Sequence, residues 1–314
     1  MPISELTFQP RITMSLPPPP KPSKSIQSLS MLDMHHLFFE NQISQNEKDG
    51  NFVSHPHPKE MIQEDVQEDI PTPPSDMIFQ FAKIRSKVSL YRNEFETTRK
   101  VRMEEVMHPL FAEKLYQHIV RIPDPSWSVA CGIRNVKYEK KLHPTLAKRN
   151  QDNINEANKT FGKGEFSYVF HRAMNNIPGE ISQFEMMMRT ILNSDIMKQI
   201  LSEMTGLEIT TLKTMFLSRY RSGHFLSPHS DKGNGKIAFV INLTKNWLPQ
   251  YGGNLHFLSE DRTKIIETWT PAFNNMVIFH VPPEHEKDVG MPHFVGHVQP
   301  QIKFSRYAIT GWYD

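Results

Sequence analysis

The amino-acid sequence predicts an α+β fold, mainly β in its C-terminal half, with a sandwich or jelly-roll core buttressed by preceding helices. Three observations carry this. From Glu208 onward, short runs of β-type residues recur between glycine and proline turns. Upstream, apolar residues recur at helical spacing in two stretches, 109–120 and 186–201. The first 75 residues differ in kind. They hold half of the 24 prolines, including Pro17 to Pro20, and one glycine of 14, Gly50.

Such a Pro-rich, polar segment cannot bury enough surface to offset its ordering entropy, so residues 1–75 read as a disordered tail. One apolar island interrupts it, at Leu29, Met31, Leu32, Met34, Leu37, Phe38 and Phe39. It lacks a cap and a clean helical period, and reads as locally sticky disorder rather than a docking helix. Residues 77–102 look helical and basic-amphipathic, with Phe79, Phe81, Ile84, Val88 and Tyr91 near one side, so 76–106 forms a helical lead-in. Pro109 can start a helix whose face is Leu110, Phe111, Leu115, Ile119 and Val120. Strands are expected at 127–132 and 165–170, separated by a long polar loop over 137–163 that contains His143. The helix at 186–201 uses its methionines for core filling and ends at the Thr205-Gly206 turn. The β-rich part then places strands at 211–220, 236–243, 254–257, 264–269, 276–280, 293–298 and 305–312.

The formal net charge is +2, too mild to point to nucleic acid or an anionic membrane. One cysteine, Cys131, excludes an intramolecular disulfide and a cysteine-rich zinc site. With no apolar leader and no run long enough to span a bilayer, a soluble cytoplasmic protein is expected.

The chemistry concentrates at Tyr220 to Asp231, read as a strand that ends by offering His229 and Asp231 together. Residues two apart on a strand point to one face, about 6.5 Å apart, close enough to share one metal ion. Two histidines and a carboxylate with open positions opposite suit non-haem Fe(II). His-x-Asp alone is a weak signal, and on spacing alone His256, His280, His285, His293 and His297 all remain candidates for the third ligand.

The order of elements from Met215 to Trp312 resembles the prolyl 4-hydroxylase-type 2-oxoglutarate/Fe(II) dioxygenases. Tyr220, Gly223, His229-Ser230-Asp231, Trp247, Gly252-Gly253-Asn254-Leu255, Pro271 before Met276-Val277-Ile278-Phe279, His293-Phe294-Val295 with Val298, then Arg306 and Trp312 follow the family pattern. The resemblance implies a double-stranded β-helix (jelly roll) over residues 107–314. It also implies Fe(II), 2-oxoglutarate and O2 as cofactors, with ascorbate as reductant. His229, Asp231 and His293 become the metal ligands, His297 staying open because it has the same strand parity. No catalytic residue is expected beyond the metal centre. Arg306 takes the distal carboxylate of 2-oxoglutarate, with Tyr220 and Thr310 adding contacts. A tyrosine that relatives place on the 239–243 strand is absent here.

The implied activity is hydroxylation of a prolyl or other residue in a polypeptide, with release of succinate and CO2. A free amino acid or small metabolite as substrate, or a non-catalytic binding module, are the alternatives. Trp312, six residues after Arg306, departs from the paired arginines of nucleic-acid demethylases in the same superfamily, and Asp231 departs from halogenases.

Overall fold

The computed structural model describes residues 78–133, 136–141, 147–173 and 180–314. The expected tail, its apolar island and His143 lie outside these residues.

The described strands form one curled, twelve-stranded antiparallel sheet organised around β12 (Arg306–Tyr313). On one side β12 pairs with β5 (Leu212–Tyr220), on the other with β7 (Ile237–Asn242). Beyond β7 come β10 (Asn275–His280) and β1 (Lys100–Met103). Beyond β5 come β4 (Ser167–Ala173), β2 (Trp127–Ile133) and β3 (Val136–Lys141). β6 (Phe225–His229) also pairs with β4, and leads the sheet through β11 (His293–Val295) and β8 (Leu255–Leu258) to β9 (Ile265–Trp269). This curled antiparallel sheet with helices before it is the jelly-roll-like α+β architecture expected from the sequence.

Strand alternation sorts the side chains into two layers. Tyr307, Ile309 and Tyr313 of β12, Ile237, Phe239 and Ile241 of β7, and Met276 and Ile278 of β10 join one hydrophobic cluster. The helices supply its other half. These are α1 (Phe81–Ser86), α2 (Val88–Thr98), α3 (Pro109–Val120), α5 (Glu180–Leu192) and α6 (Asp195–Thr205). The intervening residues Trp312, Ala238, Val277 and Phe279 face a second cluster, shared with Leu255, Phe257 and Val295 across the curl. α4 (Ala147–Gly162) covers a third, smaller cluster of Val129, Cys131, Val169 and Phe225 with Ala157. Caps define the helix ends: the Ser194 hydroxyl accepts from Met197 N at 3.3 Å, and Gly206 closes α6 at φ 71°.

Five expectations change. The single helix expected over 186–201 divides between Leu192 and Asp195 into α5 and α6, where Ser194 caps the second. The helix expected over 77–102 breaks at Lys87 and stops at Arg99, which takes the left-handed conformation at φ 58°. β1 follows, because Val101 and Met103 alternate into the helix-side cluster while pairing with β10. The polar loop expected over 137–163 contains β3 and α4 instead. Among the described side chains of α4, the apolar ones in the packed stripe are Ile154, Ala157 and Phe161, so average polarity hid the helix. In α3, Leu110 and Val120 are exposed, and the buried face is Phe111, Ala112, Leu115 and Ile119. The strand expected over 293–298 ends at Val295, after which the chain turns to pair Val298 with Gly252. No helix among the described residues is long and apolar enough to cross a membrane.

Gly311 sits where β12 presses on β5. A Cβ there would lie 2.2 Å from the Thr214 carbonyl oxygen and 2.6 Å from the Phe239 ring. Gly311→Ala should destabilise the fold by about 1–3 kcal/mol or more, read as a lower urea unfolding midpoint at an unchanged m-value. An unshifted midpoint would show that the two strands can part at no cost.

Candidate metal centre

His229 and His293 face each other as a directly opposed pair of β6 and β11. The next paired residues are Leu226 and Val295, so β6 spends three steps where β11 spends two. This is a β-bulge, and it lies at Ser227-Pro228. Phe225 packs under α4, yet Leu226 and His229 both face inward. Without the extra residue, simple alternation would send His229 to the other side with Phe225. The proline suits such an irregular position because it has no N–H to give a ladder.

Asp231 follows just off the strand. Its Oδ1 lies 3.5 Å from His229 Nε2 and its Oδ2 3.7 Å from His293 Nε2. One ligand atom from each residue falls within 4.8 Å of the other two. Both Nδ1 atoms face main-chain oxygens, His229 to Ser227 O at 3.0 Å and His293 to Met291 O at 2.7 Å. With each Nδ1 against a carbonyl, both Nε2 atoms are turned toward Asp231. Burial raises the Asp231 carboxyl, but the His229 hydrogen bond and the two imidazoles outweigh it and hold the group below the ordinary range. Burial, with His229 beside it, pushes His293 down to about 4. A buried carboxylate and two imidazoles with oriented Nε2 atoms are a donor set for a divalent cation, and Fe(II) fits it.

The same cavity holds Arg306, Tyr220 and Thr310, walled by Phe170, Phe216, Val240 and Phe279. Arg306 is 3% exposed, its Nε has no hydrogen-bond partner among the described residues, and its guanidinium lies 5.0 Å from the Tyr220 ring centre. Burial lowers the Arg306 pKa and pushes the Tyr220 hydroxyl up to about 12. A buried guanidinium with an unmet donor, in a cavity that also holds a cation site, suits a dicarboxylate bridging the two.

The other histidines stand elsewhere. His297 stacks on Phe225 at 4.2 Å and meets Asn158 Oδ1 at 3.0 Å through Nε2, on the α4 side. His256 stacks on Phe294 and meets Thr268, while His285 is exposed. Gly252 lets the turn before β8 close: at φ 72°, a Cβ would sit 1.9 Å from His297 O.

Sequence reading missed a polar network beside the β4–β5–β6 junction. Arg219 donates to His171 Nδ1 at 3.1 and 2.8 Å and to Asp124 Oδ1 at 2.7 Å, and it lies 4.4 Å over the Trp127 ring. His224 packs edge-on against His171 at 4.5 Å, with its Nδ1 buried and unpartnered among the described residues. No motif marks these residues; the only sequence signal is an arginine on the buried side of a strand.

Residues 215–314 match the family model described as the 2OG-Fe(II) oxygenase superfamily. That span contains His229, Asp231, His293, Tyr220, Arg306 and Thr310. That match agrees, at the level of the superfamily, with the resemblance read from the sequence. No curated protein matches the chain in sequence. Among solved structures the chain is similar to a Pseudomonas putida prolyl-4-hydroxylase. The identity is 14%, coverage is 72% of this chain and 90% of that chain, and the TM-score is 0.42. It is also similar to a Trichoplax adhaerens prolyl hydroxylase in complex with a hypoxia inducible factor oxygen degradation domain peptide fragment. There the identity is 17%, coverage is 74% and 91%, and the TM-score is 0.48. Likeness of this degree carries no argument about substrate.

Burial pushes His224 down to about 3 and holds His171 well below its ordinary value. Both rings bind fewer protons folded than unfolded, so their contribution is intact above the unfolded pKa of about 6.5. It is lost as pH falls from there toward 3, at up to about 1.4 kcal/mol per pH unit for each ring. Urea midpoints measured from pH 7 to pH 4 should fall, and His224→Gln should flatten the slope. An equal slope in the variant would remove His224 from the account.

Proposed function

We propose that this chain is an Fe(II)- and 2-oxoglutarate-dependent dioxygenase that hydroxylates a prolyl or other residue in a polypeptide, releasing succinate and CO2. The observation that carries the reading is the placement of buried Arg306, whose Nε has no hydrogen-bond partner among the described residues, in one cavity with the His229, Asp231 and His293 cluster. The 2OG-Fe(II) oxygenase match over residues 215–314 supports it independently.

When bound, Fe(II) and 2-oxoglutarate supply the oxidising power, O2 giving one oxygen atom to succinate and one to the substrate C–H bond. The protein's part is to hold and orient. His229 and His293 offer their Nε2 atoms and Asp231 one negative charge. Arg306 offers parallel N–H groups to the far carboxylate of the cosubstrate, a geometry a lysine lacks. The Tyr220 ring packs on that guanidinium, and Thr310 adds a hydroxyl to the lining. Phe170, Phe216, Val240 and Phe279 exclude water, which strengthens each of these electrostatic contacts. For the acceptor, the resemblance to prolyl 4-hydroxylase-type enzymes favours a prolyl residue.

Two measurements test the reading. Mn(II) binding should be lost in His229→Ala, Asp231→Ala and His293→Ala and kept in His297→Ala. Retention in the first three would remove the site, and loss with His297→Ala alone would move the third ligand. Arg306→Ala should weaken 2-oxoglutarate a few hundred-fold or more while Mn(II) still binds, by analogy with broken buried pairs at about 3–5 kcal/mol. Arg306→Lys should recover part. Loss of Mn(II) with Arg306→Ala would give the residue a structural task instead.

A further inference from the structure

Residues 281–292 join β10 to β11 and hold on to the chain around the candidate metal ligands. Just after Asp231, Gly233 N donates to Pro282 O at 3.0 Å and Lys232 donates to Glu286 O. Ser230, between His229 and Asp231, donates through Oγ to Val289 O at 2.7 Å. Two residues further on, Met291 O faces His293 Nδ1 at 2.7 Å. The short run from Asp288 to Met291 therefore reaches both parts of the chain that carry the ligands.

That run turns sharply. Gly290 is buried at φ 74°, and a Cβ there would lie 2.7 Å from Pro282 Cδ and 3.2 Å from Ser230 Oγ. Asp288 holds the turn from its own side chain, Oδ1 accepting from Gly290 N at 2.7 Å. Its other oxygen, Oδ2, pairs with Arg99 Nη1. Arg99 stands between α2 and β1, and its carbonyl accepts from His280 N at 2.9 Å, at the end of β10. Its main chain is thus fixed where residues 281–292 depart. Burial raises the Asp288 carboxyl, but Arg99 and the Gly290 N–H outweigh it and hold the group below the ordinary range. Neither Arg99 nor Asp288 lines the cavity, so contact with a bound molecule does not account for the pair.

We propose that Asp288 is a positioning residue for the metal centre, with Arg99 as its anchor. By holding Gly290 N it fixes the direction of the Met291 carbonyl, and so the way the His293 ring presents Nε2. Without that carboxylate the turn has other conformations open to it, and a cation has to select the competent one. Selection weakens binding by the inverse of the competent fraction, about tenfold for a turn correctly formed one time in ten. The two arms of Asp288 are unequal. The contact with Gly290 N is local and part-buried, whereas the Arg99 side chain is 51% exposed, where water and salt weaken an ion pair. The inference rests on the proposed metal site, and the experiment keeps the two apart.

Mn(II) affinity is read by electron paramagnetic resonance on the full chain with 2-oxoglutarate under argon. The proteins are wild type, His293→Ala, Asp288→Ala, Asp288→Asn and Arg99→Gln, with urea midpoints of the metal-free chains measured alongside. Asp288→Ala should weaken Mn(II) about 10- to 100-fold, the range for groups that orient a ligand, with its midpoint close to wild type. Asp288→Asn keeps an oxygen for Gly290 N and should lose only about two- to fivefold, and Arg99→Gln should match it. Binding of 2-oxoglutarate at saturating Mn(II), which reads the Arg306 wall, should stay within about twofold in all three. Wild-type affinity in Asp288→Ala would overturn the proposal. So would a loss that accompanies a fallen urea midpoint, or a loss in Asp288→Asn as large as in Asp288→Ala. If Asp288→Ala does not fold, Asp288→Asn and Arg99→Gln decide, and unchanged Mn(II) affinity in both overturns it. A wild type that binds no Mn(II) defeats the metal site and Asp288 with it. Loss in His293→Ala without loss in Asp288→Ala defeats Asp288 alone.

Discussion

The directly opposed pair His229 and His293 is the constraint on which the site depends. Two short strands meet there with their registers offset by one extra residue, and that offset brings both imidazoles to the inside of the curl with Asp231 between them. Main-chain carbonyls two residues before each histidine fix which nitrogen faces inward. The ligand geometry is thus set first by backbone register. Shifting the register by one residue would turn a ligand to the wrong face.

The cavity joins two halves built in different ways. Arg306, Ala308, Thr310 and Trp312 project inward from β12, which pairs with β5 and β7 along nearly its whole length. On the other side, the ligands come from strands of five and three residues and from a residue beyond a strand end. Aromatic packing links the halves, with Phe279 against both Phe257 and His293. α1, α2, α3, α5 and α6 reach the site through the far face of the sheet, where Met276, Ile278 and Ile309 alternate with the residues that line the cavity.

Much of this could be read in the sequence, for reasons that differ by element. His-x-Asp, the apolar alternation of β7, β10 and β12, and the turns between them are local patterns whose period is set by the backbone itself. The structure brings His229, Asp231, His293, Arg306, Tyr220 and Thr310 into one cavity. What was not legible depended on partners distant in the chain. His293 and His297 share strand parity, and only the end of β11 at Val295 and the turn onto Gly252 separate them. α4 was hidden because three apolar residues suffice when a strand pair waits to receive them. β1 was hidden because its helix-like neighbours on one side and β10 on the other compete for the same residues. The Arg219 and His171 network could not be foreseen, since burial of a charged strand residue is decided by what covers it.

The shortness of β11 has a thermodynamic consequence. A three-residue strand held between β6 and β8 contributes few ladder hydrogen bonds, so its attachment is weak compared with that of β12. On the proposed reading, a cation shared by His229, Asp231 and His293 would act as a clasp between β6 and β11. Its binding free energy adds to the stability of that layer as RT ln(1 + [M]/Kd). This short strand would then be coupled to the availability of metal. A cell short of that ion would carry this protein with its Arg306 wall intact and its opposite wall loosened.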